Sequence, residues 1–110
     1  MEETVIKKAW GTEKILASEP EYTGKILHIH PGKKSSLHYH TIKKETFNVR
    51  SGLVRLEHGE NDELLTPGEQ RTILPQTPHR FSSKFGATII EISTHHEDAD
   101  CTRLELSGEM

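Results

Sequence analysis

Between Gly32 and Gly52 the chain reads GKKSSLHYHTIKKETFNVRSG, with His38, His40 and Glu45 inside eight residues. Side chains alternate across a β-strand, so His38 and His40 point the same way. Imidazole is a poor filler for an apolar core, and two on one strand face make good chelating geometry. Glu45 follows a short turn, Thr41 to Lys44, which lets it fold back beside the two histidines. A fourth ligand is expected from ILPQTPHRF, where His79 follows two prolines that stiffen its approach. Three imidazoles and one carboxylate suit a divalent transition metal (Zn, Mn, Fe, Ni or Co) and leave coordination positions for water or substrate.

Such a set has to be held by a rigid frame. Short apolar or alternating runs recur at 14–17, 24–30, 37–40, 46–50, 53–57, 63–65, 70–74, 79–82, 87–93 and 102–106. Glu-Pro, Pro-Gly, Ser-Gly, Gly-Glu-Asn-Asp and Phe-Gly punctuate them. Many short strands at this spacing predict an all-β sandwich or barrel. Glu2 to Lys8 is the one stretch with helical character, and EHGENDE, residues 57–63, reads as an exposed hairpin loop.

The chain's 110 residues fit one domain. Only 32% are hydrophobic and mean hydropathy is -0.66, so the core is narrow and dimerisation would hide further apolar surface. A net charge of -3 with no dense basic block disfavours nucleic acid as a partner, since phosphate recognition needs a basic stripe. A single cysteine, Cys101, precludes an internal disulfide and fits a reducing compartment. MEETVIKKAWG lacks the apolar run of a signal peptide, and no stretch reaches the ~18 apolar residues of a membrane span. The expectation is a cytoplasmic protein with no membrane partner.

Gly32, His38-x-His40, Glu45 and Gly52 match in order and spacing the first motif of the cupins, and Pro67-Gly68 with Pro75 to His79 match the second. The chain therefore resembles that superfamily. The resemblance implies a double-stranded β-helix (a jelly-roll barrel) over residues 1–110 with His38, His40, Glu45 and His79 as metal ligands. Trp10-Gly11, Tyr22, Lys25, Leu27, Ile29 and Pro31-Gly32 also resemble the opening of the cupin domain in type II mannose-6-phosphate isomerases. That family usually has Gln in place of His38 and Trp in place of Phe47. Its tail is acidic and ends in Gly-Arg, so His95, His96 and Asp98 are peculiar to this chain.

The resemblance implies a sugar-phosphate isomerase or epimerase, acting on a small-molecule substrate as a homodimer. The metal would stabilise the enediolate formed as a proton moves between C1 and C2. Glu45 would be the proton-transfer group if the metal holds it loosely; otherwise His95 or His96 would reach in from the tail. Lys25 shares a strand face with Leu27 and Ile29; turned inward, it needs an anion or a carboxylate. Arg103 could clamp a phosphate bidentately. His28, His30 and His58 read as surface residues, and Phe47 and Phe81 as barrel lining. The same ligands would equally serve an Fe- or Mn-dependent dioxygenase or a non-catalytic sugar-binding module.

Overall fold

The computed structural model describes residues 4–110. Among them the chain forms thirteen strands and no helix: β1 (Thr4–Lys8), β2 (Gly11–Ser18), β3 (Thr23–Ile29), β4 (Lys33–Lys34), β5 (Leu37–Tyr39), β6 (Glu45–Gly52), β7 (Val54–His58), β8 (Asn61–Leu65), β9 (Gln70–Ile73), β10 (His79–Ser83), β11 (Ala87–Ser93), β12 (Thr102–Glu105) and β13 (Gly108–Glu109). One sheet runs β1-β2-β3-β11-β6-β9. In the other, β10 is central: β7 and then β8 lie on one side, and β4 and β5 on the other, bordered by β13 and β12. Every pairing is antiparallel.

The strand runs expected from the sequence are present. The Glu2 to Lys8 expectation is corrected over residues 4–8, residues 2 and 3 lying outside the described chain. Thr4 to Lys8 pair residue for residue with Ile15 to Gly11. β-Branched Thr4, Val5 and Ile6 suit an extended ribbon better than a helix. The loop read over residues 57–63 shrinks to a two-residue turn, Gly59-Glu60, because β7 and β8 pair as far as His58 opposite Asn61. Such short turns match the natural twist of a hairpin.

Alternation on three neighbouring strands divides the interior lengthwise. On β3 the buried side chains are Ile29, Leu27, Lys25 and Thr23; on β11 they are Ala87, Ile89, Glu91 and Ser93; on β6 they are Val49, Phe47 and Glu45. The register sets Ile89 beside Leu27 and Val49, and Glu91 beside Lys25. One end of the barrel is thus apolar, continued by Val54, Leu56, Leu65 and Phe81, and the other is polar. Trp10 meets Phe81 edge to face with ring centroids 4.9 Å apart, and Phe47 meets Phe81 in the same way at 5.9 Å.

Two details hold the frame in shape. β4 and β5 are one strand line interrupted at Ser35 and Ser36, and Ser35 is bound to β10 through its backbone N–H and hydroxyl. Gly52 ends β6 with φ +80°, and a Cβ there would sit 2.3 Å from the Gly86 carbonyl oxygen, so this position takes only glycine.

His28 and His30 are exposed, as the sequence suggested. His58 corrects that expectation. It sits at the end of β7 opposite His79, half-buried, with Nε2 2.7 Å from Glu63 Oε2. Arg71 of the other sheet reaches the same carboxylate at 3.0 Å. His58 therefore belongs to an ionic clasp that joins the two sheets across the β8 and β9 edges.

Candidate metal centre

His38, His40 and His79 offer ring nitrogens that all lie within 4.8 Å of one another. β5 supplies His38, the residue just past its end is His40, and His79 begins β10 directly opposite His38. Glu45, at the start of β6, closes the group: Oε1 is 2.9 Å from His79 Nε2 and Oε2 is 3.4 Å from His40 Nε2.

Each imidazole is fixed through its other nitrogen. Nδ1 of His38 donates to the Ser36 carbonyl (2.9 Å), that of His40 to the Asp100 carbonyl (2.6 Å) and that of His79 to the Thr77 carbonyl (2.9 Å). A neutral imidazole carries one proton, so all three Nε2 atoms present lone pairs. Outer hydrogen bonds of this kind set tautomer and ring orientation in metal-ligating histidines. His79 Nε2 and Glu45 Oε2 are buried and make no aligned hydrogen bond. Glu45 Oε2 faces the Lys43 ammonium, whereas His79 Nε2 and Glu45 Oε1, 2.9 Å apart in the buried site, require a cation between them, a proton or a metal ion. The donor set therefore fits a divalent transition metal, which His38, His40 and His79 could hold with Glu45 beside them.

The electrostatics keep these groups in their ligand forms. Burial, reinforced by His79 and His40, pushes the His38 imidazole down to about 3. Burial also lowers His40. Burial alone would raise the Glu45 carboxyl, but a hydrogen bond from His79, when Nε2 carries a proton in place of a metal, and the Lys43 ammonium outweigh it and hold the group well below the usual carboxylate range.

The centre lies in a cavity of about 740 Å³ whose lining includes residues of the β1–β2 ribbon and of the β5–β12 edge. Lys25 is buried in its wall at 4% exposure, with Nζ 3.6 Å from Glu13 Oε2; the inward carboxylate that its burial required is Glu13. Arg103 pairs with His38 across β12 and β5 and lines the cavity. Its guanidinium forms no ion pair or hydrogen bond among the described residues. Phe47 and Phe81 line the barrel, as their strand positions predict.

The structure does not bring His95 into this cavity. His95 is exposed, bound to the Glu19 carbonyl and the Glu97 carboxylate, and lies in a separate surface groove with Pro20 and Ile42. Its neighbour His96 faces the centre, its ring centroid 6.4 Å from that of His40. Successive residues of an extended tail point to opposite sides, which separates the two histidines.

Three residues escape a reading of the sequence. Lys43 is buried at 4% exposure, its ammonium 3.1 Å from both Glu45 Oε2 and Glu91 Oε2. Glu91 is buried on β11, its carboxyl raised by burial and by Glu45. Asp100 accepts the backbone N–H groups of Thr41 (2.7 Å), Ile42 (3.1 Å) and Lys43 (2.9 Å). It thereby shapes the turn that folds Glu45 back, while its carbonyl orients His40. The inward register of Glu91 with Lys25 was the one available signal, since a carboxylate in an IIEIS strand invites an inward partner.

A jelly-roll barrel with a three-histidine, one-glutamate cluster inside one end defines this chain as a cupin. Solved structures agree on the fold. KdgF from Halomonas sp. superposes with a TM-score of 0.74 at 19% identity, over 80% of this chain and 81% of that one. An RmlC-like cupin from Shewanella frigidimarina NCIMB 400 gives 0.81 at 14% identity, over 88% and 87%. Oxalate decarboxylase from Bacillus subtilis gives 0.81 at 15% identity, over 93% of this chain but 30% of that one. No curated protein sequence matches the chain. Residues 1–106 match the family described as mannose-6-phosphate isomerase, C-terminal, and the chain belongs to that family.

Proposed function

We propose that the protein is a metal-dependent isomerase or epimerase of a small sugar phosphate. The observation that carries this reading is the convergence of three Nε2 lone pairs and a carboxylate at a cavity of mixed lining with an unpaired guanidinium beside it. The family to which the chain belongs supports the same class of substrate.

A divalent metal bound by His38, His40, His79 and Glu45 would supply Lewis acidity, stabilising negative charge on adjacent substrate oxygens. The protein does the rest. Arg103 offers a planar fork that matches a phosphate. Lys25 and Glu13 present a donor and an acceptor for hydroxyl groups along the β2–β3 wall. Phe47, Phe81 and Trp10 close the apolar end and exclude water below the reacting carbons. The proton passing between C1 and C2 falls to a group at the cavity wall, where Glu45 and His96 are the candidates and His95 is not.

The test is proton NMR of metal-loaded protein in deuterated water with mannose, glucose and fructose 6-phosphates. Deuterium should enter C1 or C2 of one of them, and a His38→Ala variant should lose that exchange. Absence of exchange with all three would sink the hexose-phosphate reading and pass weight to oxygen chemistry or simple sugar binding.

A further inference from the structure

Lys43 lies in the four residues between His40 and Glu45, which in the sequence look like a spacer. Its ammonium nevertheless sits in the barrel wall with three acceptors around it. Glu45 Oε2, Glu91 Oε2 and His96 Nδ1 are each 3.1 Å from Nζ. An ammonium has three protons and no lone pair; this one hydrogen-bonds His96 and is held between two carboxylate oxygens as an ion pair. His96, accepting at Nδ1, carries its proton on Nε2 and gives it to Asp98 Oδ1 at 2.9 Å.

We infer that Lys43, braced by Glu91, is a positioning residue for the metal centre: it draws Glu45 Oε2 aside so that Glu45 presents Oε1 on the His79 side. This rests on the metal reading proposed above. A buried ammonium is tolerated only when paired, and one carboxylate would have sufficed for that. The second, Glu91, stands on β11 with its side chain fully inside the barrel and no aligned hydrogen bond. It pulls Nζ from the side opposite Glu45 and so fixes where Lys43 can stand. The backbone of Lys43 is fixed as well, through its N–H to Asp100 Oδ2. A point charge suits this site; the broad guanidinium fork of arginine does not. The arrangement links the metal carboxylate on β6, the β11 strand and the tail through one nitrogen atom.

The test uses the protein loaded with Co(II), whose visible absorption reports the number and kind of its ligands. A Lys43→Met/Glu91→Leu double variant removes both charges and leaves Glu45 with only the imidazoles of His79 and His40 beside its oxygens. It should fold by circular dichroism, shift the Co(II) bands and bind Co(II) about 10- to 100-fold more weakly, the usual effect of losing an outer partner. Glu91→Gln, which keeps the shape and loses the brace, should shift the bands less and serves alone if the double variant fails to fold. Lys43→Arg should not restore the original spectrum. Folded variants with wild-type bands and affinity would overturn the inference and leave Lys43 a structural ion pair. A wild-type protein with no Co(II) bands would instead remove the metal reading itself.

Discussion

The two ends of the barrel are made from the same strands and solve opposite problems. Going along β3, β6 and β11 from one end, the inward positions read Ile29, Leu27 and then Lys25; Val49, Phe47 and then Glu45; Ala87, Ile89 and then Glu91. The apolar end gains from burial itself, at roughly 25 cal/mol per Å² of apolar surface. The polar end gains nothing from burial until each group finds a partner. There Lys25 meets Glu13, Lys43 meets Glu45 and Glu91, and the three Nε2 atoms converge where a metal ion could be held. The contrast teaches that stability and chemistry can be separated by two residues along one strand.

The largest effect expected from breaking this division is at the apolar end. Leu27→Ala, at 1% exposure, should cost about 2–5 kcal/mol through the cavity it leaves. Chemical denaturation measures it, and metal affinity of the folded fraction should not change. A parallel fall in affinity would show that the two ends are not independent.

Removing a ligand at the other end should do the reverse. His38→Ala should weaken metal binding by more than about 100-fold, above the range for outer partners, as read by competition with a chelator. The melting temperature of the metal-free protein near neutral pH should hardly move, because His38 lies outside the apolar cluster. Asp100→Ala comes next. It leaves three backbone N–H groups without their acceptor and should weaken metal binding by about 10- to 100-fold.

A pH dependence is confined to the polar end. The folded-state value of His38 is about 3, below an unfolded value near 6.5. The unfolded chain takes up this proton as pH falls through 6.5, while the folded chain refuses it until about 3. Acidification in that window favours unfolding, so stability rises with pH from about 3 to 6.5 and is flat above; His40 adds in the same direction. Urea midpoints of metal-free protein measured across this range check the slope, and His38→Ala should flatten it.

Much of the frame was legible because it depends on local periodicity. The alternation on β3, β6 and β11 announces which residues face inward, and the spacing of His38, His40, Glu45 and His79 announces a chelating set. What was not legible depends on pairing between distant segments. Lys43 reads as part of a turn until β11 places Glu91 against it. Asp100 reads as one acid in an acidic tail until its carboxylate caps residues 41–43. His95 and His96 are adjacent and chemically identical, and only the path of the tail decides which faces inward. β4 and β13, two residues each, are too short to carry a pattern.

The Asp100 clasp has a consequence for how the protein comes into being. Synthesis runs from the N-terminus, and domains fold as their residues emerge. Every strand of the six-stranded sheet is complete by Ser93, yet His40 is oriented and its turn capped by a residue made afterwards. The six-stranded sheet can therefore form before His40 is oriented, and the last stretch of chain acts as a latch on the histidine cluster. A chain ending at Thr94 should keep the strand signature in circular dichroism and fail to retain metal through gel filtration. Equal retention by the shortened chain would show the latch to be dispensable.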